Sequence, residues 1–394
     1  MRDENENATD EGGPLDLLDP SPAPTALKTS RRSVLWGAAA LGATTLAATA
    51  SASPALAADP AAAADDATAG GGGGAAGSGR IDVHHHAIPP QARQWMVDHG
   101  LLPPAGGPPW ANWTVDSSLA IMDELGIGAA VLSGPAPSEF LANLSPADLQ
   151  QSTRIGNDAL AQVIHDHPSR FGLFAAAPMG NVDVALGEIA YSLDTLHADG
   201  VSLNMHAAGQ YLGDPMFEPI LAELDRRHAV VFTHPYNLPG CGAAPVADFL
   251  VDYLADTTRA AVKMLLGGAL DRYPNISFIL PHGGGYFPLL AGRLQENAYL
   301  GAGVTQATAA QAIKRFWYDS AMPISPGATP SLLAAVGSDR LLLGTDFPAS
   351  TADGARLNVH AIDADPALNA NTRRQLNRDN ARRLLPALAA RMGG

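Results

Sequence analysis

The segment Arg80-Ile81-Asp82-Val83-His84-His85-His86 decides how the rest of the chain is interpreted. Its apolar and polar residues alternate, which predicts a β-strand. Because side chains two residues apart on a strand share a face, His84 and His86 should point together and His85 should point away, toward surrounding helices. Two imidazoles that meet where a strand ends are a common start of a divalent metal site. The segment therefore predicts both a first strand and a metal centre at its end.

Beyond this segment, apolar β-type runs alternate with helical patterns as far as the C-terminus. The predicted strands are Arg80–His84, Ala129–Ser133, Phe171–Ala177, Gly200–Met205, Ala229–His234, Ile276–His282, Phe316–Ser320 and Arg340–Asp346. The predicted helices are Asp116–Leu125, Ser152–His167, Val182–His197, Phe217–Arg227, Ala247–Tyr273, Pro330–Val336 and about Asn369–Ala390. Strand–helix alternation over residues 80–394 favours the α/β class, as a (β/α)8 TIM barrel. An open doubly wound sheet is the alternative, but no G-x-G-x-x-G motif follows the first strand.

The residues before this predicted barrel have the pattern of an export signal followed by a flexible linker. Arg31 and Arg32 precede a mildly apolar stretch, and Ser53-Pro54-Ala55-Leu56-Ala57 has the small-residue pattern of a cleavage site. Residues 1–57 are therefore predicted to be a Tat-type export signal with a disordered N-region, so the protein would be secreted or associated with the cell envelope. The apolar run is short for a membrane span, so no stable anchor is expected. Residues 58–79, rich in Ala and Gly, are predicted to be a flexible linker.

Composition excludes several partners. The formal net charge is −15 and the chain has only three lysines, which argues against nucleic-acid binding. The single cysteine, Cys241, excludes an intrachain disulfide framework, even in an oxidising compartment. The folded part must therefore be stabilised by burial alone.

Titratable residues also end three later strands. They lie in Thr233-His234-Pro235 on the fifth strand, Pro281-His282-Gly283-Gly284-Gly285 on the sixth and Gly344-Thr345-Asp346 on the eighth. In a barrel, the carboxyl ends of the strands meet at one rim, so these residues would share a pocket with the first-strand histidines. So many buried polar groups are hard to explain as ordinary core residues. We predict a shared metal site at this rim.

These motifs resemble those of a known family. Asp82-x-His84-x-His86, Thr233-His234-Pro235, His282-Gly283-Gly284-Gly285 and Gly344-Thr345-Asp346-x-Pro348 are similar, in the same order, to motifs of the amidohydrolase-related decarboxylases. That family includes aminocarboxymuconate semialdehyde, 6-methylsalicylate and resorcylate decarboxylases. The resemblance extends from about Arg80 to the C-terminal helix. It is specific for the superfamily, and much less so for the substrate or for a lyase over a hydrolase.

The resemblance implies a role for each motif residue. The metal ligands would be His84, His86, His234 and Asp346, while His282 would stay unbound, beside the substrate. Three imidazoles and one carboxylate suit one divalent ion, zinc first and manganese second. Two-metal amidohydrolases usually have a bridging lysine on the fourth strand; none is present in Val201–Met205, so a single metal is favoured.

Further residues are candidates for substrate contact. Arg293 resembles a family arginine that binds the substrate carboxylate, sometimes across a dimer interface, and the resemblance also implies a homodimer. His206, Tyr236 and Trp113 are placed to contact the substrate or to line a flat pocket, with ordinary packing as the alternative for each.

Two enzymatic hypotheses remain open. The first is non-oxidative decarboxylation of an aromatic, hydroxybenzoate-like or unsaturated carboxylic acid, with His282 or Asp346 as the catalytic proton donor. The second is metal-dependent hydrolysis of a lactone, ester or amide, which export of the protein would favour. A non-catalytic binding barrel would be expected to have lost a metal ligand, and the sequence retains all of them.

Overall fold

The structure is a computed structural model that describes residues 79–134, 144–239, 246–294, 296 and 304–393. The predicted export signal, the linker as far as residue 78 and Cys241 lie outside the described residues.

Eight parallel strands form a nearly closed barrel, in the order β1-β2-β3-β4-β7-β8-β9-β10. Isolated bridges from Asp82 to Leu343 and from His85 to Phe347 join the last strand region to the first. A short antiparallel pair, β5 and β6, follows β4. Within the described residues, the strands are β1 (Arg80–His86), β2 (Ile127–Ser133), β3 (Phe171–Ala176), β4 (Gly200–Asn204), β5 (His206–Ala207), β6 (Gln210–Tyr211), β7 (Val230–His234), β8 (Ser277–Leu280), β9 (Trp317–Asp319) and β10 (Leu341–Leu342). The predicted (β/α)8 architecture is confirmed.

The helices surround the strands. They are α1 (Pro90–Asp98), α2 (Val115–Glu124), α3 (Pro146–Asp166), α4 (Val182–Asp194), α5 (Glu218–Arg226), α6 (Asp248–Leu266), α7 (Ala269–Arg272), α8 (Ala291–Leu294), α9 (Gln306–Ile313), α10 (Ala328–Val336), α11 (Thr351–Ala364), α12 (Ala370–Arg374), α13 (Asn380–Leu384) and α14 (Pro386–Arg391). Sequence patterning missed α1, α8, α9 and α11. In α1, a Pro occupies the first helical position, where its missing N–H costs no hydrogen bond. Within the described residues, no helix combines the length and apolar character needed to cross a membrane.

Two apolar cores hold the barrel together. The inner core, enclosed by the strands, includes Val83, Phe174 and Phe232, and the last two rings stack 5.6 Å apart. Leu384 and Leu388 from the C-terminal helices pack into this inner core. The outer core fills the space between the strands and the helices. Burial on both faces of each strand is what a parallel sheet requires, and it leaves the carboxyl ends of the strands free to carry polar groups.

A bulge in β1 sets the direction of the metal-site histidines. Asp82 pairs with Ala130 and His85 with Leu132, so three steps along β1 match two along β2. The extra residue lets Val83 join the inner core while His84 still turns inward, with its ring 4.9 Å from that of Phe232. Bulges of this kind often re-aim side chains beside active sites.

The bulge also explains the orientation of His85. His85 Nδ1 lies 3.0 Å from Asp82 Oδ2 and its Nε2 lies 2.8 Å from Ser118 Oγ on α2, so the ring faces the helices as predicted. Plain alternation would place Asp82 on the same face as His84. The bulge places it with His85 instead.

Candidate metal centre and active site

Four side chains from three distant parts of the chain meet at the carboxyl rim of the barrel. Each of His84, His86, His234 and Asp346 offers one ligand atom, and these atoms all lie within 4.8 Å of one another. The Nε2 atoms of His84 and His86 are 3.1 Å apart, and Asp346 Oδ1 lies 3.2 and 3.1 Å from them. These are the four ligands predicted from the sequence, and they form a metal site.

The Asp346 carboxylate shows that the cluster fits a cation. Asp346 Oδ1 is buried, and no described residue forms a hydrogen bond with it in acceptable geometry. A buried carboxylate oxygen without a partner is costly. A divalent ion among the four ligand atoms would satisfy this oxygen, and three imidazole nitrogens with one carboxylate are a donor set that such ions accept.

Each ligand histidine uses its other ring nitrogen for orientation. His84 Nδ1 lies 2.7 Å from Asp319 Oδ2, and His234 Nδ1 donates to the Pro235 carbonyl oxygen at 2.9 Å. His86 Nδ1 lies 3.3 Å from Ser133 Oγ. Because every Nδ1 is engaged elsewhere, every Nε2 is left to face the ion.

Electrostatics divide the histidines into two kinds. Burial opposes a charge on His84, but the carboxylates of Asp319 and Asp346 outweigh it and raise the pKa of His84 to about 10. Burial lowers the pKa of His86, and it lowers the pKa of His234 well below the usual value. Burial opposes ionisation of Asp346, yet the charge of His84 and the adjacent side chains of His282 and His86 hold the pKa of Asp346 well below its usual range. At neutral pH and without metal, His84 therefore carries the extra proton of the charged imidazolium form.

His282 stands beside the four ligands but outside their set. Its Nε2 lies 3.7 Å from Asp346 Oδ2, and its ring centroid is 5.2 Å from that of His84. Its Nδ1 is buried and forms no hydrogen bond with any residue that the structure describes. The imidazole therefore lies next to the metal ligands without being one of them.

The three glycines after His282 create the turn that holds it. From His282 to Gly285 the φ angles are +53°, +65°, +78° and +62°. A Cβ on Gly284 would lie 2.5 Å from the ring of Tyr318, and one on Gly285 would lie 2.2 Å from the Leu254 carbonyl oxygen. Side chains at these positions would displace packed neighbours, so the glycine run is a structural requirement of the site.

Asp319 is a site residue that sequence reasoning missed. It ends β9, and its two oxygens bind His84 Nδ1 at 2.7 Å and the His282 backbone N–H at 2.9 Å. One buried carboxylate thus orients both a metal ligand and the nearby free imidazole. The rule that found the other residues, a polar group at the end of a barrel strand, also applies to Asp319.

Of the other predicted residues, Tyr236 lies beside a metal ligand and His206 lies next to Tyr236. The ring of Tyr236 is 6.0 Å from that of His234, and its hydroxyl donates to Asn204 Oδ1 at 2.7 Å. The ring of His206 is 6.2 Å from that of Tyr236, and its Nδ1 lies 2.9 Å from Asp256 Oδ1.

The other two predicted residues, Trp113 and Arg293, lie away from the metal centre. Trp113 is buried in the outer core, and its indole N–H donates at 2.7 Å to Ser118 Oγ, the atom that also contacts His85. Its position is therefore on the helix-facing side of β1. Arg293 is exposed on α8, and within the described part of the chain no hydrogen bond or ion pair joins it to the metal centre.

A (β/α)8 barrel that gathers three imidazoles and one carboxylate at its carboxyl rim defines a metal-dependent barrel protein. The amidohydrolase family profile matches residues 81–387, and the chain belongs to that family. The 6-methylsalicylic acid decarboxylase of Penicillium expansum is 31% identical over 331 residues, covering 78% of this chain and 97% of the relative. The resemblance inferred from the motifs is confirmed.

Solved structures share the fold. The crystal structure of an amidohydrolase II protein superposes with a TM-score of 0.70 at 27% identity, covering 78% of this chain and 99% of that one. A dihydroxybenzoic acid decarboxylase from Polaromonas sp. JS666, with bound manganese and the inhibitor 2-nitroresorcinol, superposes with a TM-score of 0.64 at 21% identity. That superposition covers 78% of this chain and 97% of the other.

Proposed function

We propose that this protein is a metal-dependent, non-oxidative decarboxylase of a hydroxybenzoate-like aromatic acid or a related unsaturated acid. The observation that carries the proposal is the pairing of a four-ligand metal site with a neighbouring imidazole, His282, that is not a ligand. Relatives that match most of this chain, such as the Penicillium expansum enzyme, are decarboxylases of aromatic acids.

The reaction requires a proton at one carbon. The carbon that bears the carboxylate gains a proton, the bond to the carboxylate breaks, and its electron pair returns to the ring as CO2 leaves. A divalent cation bound by His84, His86, His234 and Asp346 would supply a Lewis acid that stabilises the electron-rich state of the reaction. Because protonation interrupts aromaticity, the proton must come from a positioned acid.

His282 is the proposed proton donor. Asp346 was the other candidate, but its pKa lies well below the usual range, so at neutral pH it holds no proton to give. His282 lies next to the ligands with its Nδ1 unpaired among the described residues, and its backbone is fixed by Asp319. Asp346 is then a metal ligand, and its Oδ2 lies near His282 without donating.

We propose zinc as the metal, with manganese as the second choice. Three imidazoles and one carboxylate resemble protein zinc sites, whereas the Polaromonas enzyme of the same fold holds manganese. Activity of the stripped protein after reloading with each ion would distinguish the two.

The direct test of function compares two reactions. Metal-loaded protein would be incubated with 6-methylsalicylate and a series of hydroxybenzoates while CO2 and the decarboxylated product are measured, and aromatic lactones and esters would be assayed in parallel. We expect equal amounts of CO2 and product. Cleavage of a lactone or ester without CO2 from any acid would overturn the proposal in favour of a hydrolase.

We also propose that the chain is exported by the Tat pathway and forms a homodimer in which Arg293 serves the partner's site. The support is the twin arginine, the family resemblance and the exposed position of Arg293. Sedimentation equilibrium should give twice the mass of the mature chain. A monomer at assay concentrations would contradict the dimer.

A further inference from the structure

A second buried histidine–carboxylate pair lies beside the metal centre. His206 Nδ1 is 2.9 Å from Asp256 Oδ1 and 3.1 Å from Asp256 Oδ2. His206 is 6% exposed and Asp256 is fully buried. A buried carboxylate requires such partners, but the pairing also fixes which ring nitrogen of His206 is used and which is left over.

Asp256 holds the backbone at Tyr236 as well as the imidazole of His206. Its Oδ2 also accepts a hydrogen bond from the Tyr236 backbone N–H at 3.0 Å, and Tyr236 follows the metal ligand His234 by two residues. One carboxylate from α6 therefore holds two neighbouring parts of the rim, the start of β5 and the loop after β7.

The Nε2 atom of His206 is available. Within the described residues, none forms a hydrogen bond with it. Nδ1 faces α6, outside the strands, and Nε2 lies on nearly the opposite edge of the ring, away from that helix. Because Nδ1–H donates to the carboxylate, the neutral imidazole presents Nε2 as a hydrogen-bond acceptor.

His206 is linked to the metal ligand His234 through the ring of Tyr236. Asn204 pairs in register with His234, and His206 follows Asn204 by two residues, across a bend at Met205. The rings of His206, Tyr236 and His234 follow one another at centroid distances of 6.2 and 6.0 Å. This row leads from the metal ligand His234 along one side of the rim.

We infer that His206 is a substrate-specificity residue whose Nε2 accepts a hydrogen bond from a ring hydroxyl of the substrate, at the end remote from the metal, and that Asp256 is its positioning residue. The inference rests on the proposed function, because it assumes a hydroxylated aromatic acid. It adds which part of the substrate is recognised, and by which atom.

The test compares selectivity rather than activity alone. The substrates are 2-hydroxybenzoate and its derivatives with one further hydroxyl at each remaining ring position, and kcat/KM for each derivative is divided by that of the parent acid. In His206→Asn, the amide N–H can still bond to Asp256 but the Nε2 position is empty. For the derivative with the highest ratio in the wild type, we expect this ratio to fall about tenfold in His206→Asn, mainly because the KM for that derivative rises. The exposed His228, changed to Asn, is the matched control and should leave every ratio unchanged.

Asp256 is tested by graded replacement. An Asn at this position can still accept from Nδ1–H, whereas an Ala cannot. The selectivity ratio should therefore decrease in the order wild type, Asp256→Asn, Asp256→Ala, with metal content unchanged in all three. A general loss of folded protein would reduce kcat for all substrates together and would not produce this order.

Failure of the inference differs from failure of the proposed function. If the wild type releases CO2 but every ratio in His206→Asn stays within twofold of wild type, the inference is overturned and the decarboxylase proposal stands. If the wild type releases no CO2, calorimetric titration with the same acids gives the binding ratios instead. Unchanged binding ratios, or no binding by any of the acids, would then overturn the inference as well.

Discussion

Asp319 and Asp346 together control where protons reside in the metal centre. Asp319 engages His84 Nδ1 and the His282 backbone, while Asp346 approaches the Nε2 atoms of His84 and His86. Two carboxylates around one imidazole favour its charged form, whereas a metal ion requires the neutral form. At the scale of single residues, a proton and a metal cation therefore compete for the imidazole of His84.

This competition predicts the pH dependence of metal binding. The pKa of His84 is raised to about 10, so below that pH the metal must displace its proton. The apparent affinity should rise about tenfold per pH unit between pH 7 and 9 and level off above about 10. Burial lowers the pKa values of His86 and His234, so both are already neutral in this range and add no slope. Calorimetry in buffers of different ionisation enthalpy measures the proton released; a pH-independent affinity would contradict the account.

Replacement of His282 by Asn separates chemistry from metal binding. His282 is not among the four ligands, so His282→Asn should retain the metal. Loss of the proposed proton donor should lower kcat by about 10² to 10⁴-fold. His165, whose side chain is 82% exposed on α3, is the control, and His165→Asn should leave kcat and metal content unchanged. Full activity of His282→Asn would remove this residue from the proposed chemistry.

At the scale of elements, the end of β10 must approach β1 and β9 closely. A Cβ on Gly344 would lie 2.9 Å from Asp319 Cβ and 2.9 Å from His84 Cβ. The backbone of the β1–β10 junction is also tied through Asp82, which accepts hydrogen bonds from the N–H groups of His84 and Thr345. The elements that carry the ligands are therefore packed with no room for another methyl group.

Gly344→Ala should accordingly damage the metal site. We expect a loss of about 1–3 kcal/mol in the free energy of unfolding, typical of an overpacked core, and a weaker metal affinity because His84 and Asp319 must move. The control is Gly187→Ala on the exposed face of α4, where a Cβ meets nothing within 4 Å and the helix should gain up to about 1 kcal/mol. Urea unfolding and metal titration measure both effects. Unchanged metal affinity in Gly344→Ala would show that the close approach is unimportant.

The element scale also shows what sequence patterns can predict. Strand ends were predictable, because a polar residue after a buried apolar run is conspicuous, and His84, His86, His234, His282 and Asp346 were found in this way. The bulge in β1 was not, because it depends on the pairing register with β2 rather than on any local signal. Of the four missed helices, α8 is only four residues long, Ala291–Leu294, which is too short for a helical repeat to show in the sequence.

Contacts that depend on tertiary structure could not be predicted either, because they leave no local signal in the sequence. Asp256 lies on α6, far in sequence from His206, and nothing near it in the chain indicates that the two residues pair. Trp113 was grouped with pocket residues because it lies in the segment after the first strand, where a barrel has active-site loops, yet it packs on the outer side of β1. Topology positions strand ends reliably, whereas the partners of residues on helices and in loops require coordinates.

At the scale of the whole molecule, one end of the barrel carries stabilising contacts and the other end carries the metal site. The inner core is sealed by residues of the C-terminal helices, and the side-chain amide of Asn380 donates to the Leu341 carbonyl oxygen at the start of β10. The opposite, carboxyl rim is left to hold the metal ligands. This division is the usual arrangement in barrel enzymes, in which rim residues carry function and the far end carries stability.

Export is a prediction about the whole chain. Replacing both Arg31 and Arg32 by lysine should abolish transport through the Tat route and leave the protein inside the producing cell, because that route reads the arginine pair. Fractionation and immunoblotting of cells carrying each version measure the result. Replacing Arg2 by lysine is the control and should not affect transport. Equal export of the doubly substituted protein and the wild type would contradict the assignment.

The measurement that tests the central claim most directly is metal content against activity. The account predicts about one divalent ion per chain, loss of CO2 release on chelation, recovery when zinc or manganese is restored, and loss of both metal and activity in His234→Ala. A metal-free protein that decarboxylates as fast as the loaded one would contradict the account.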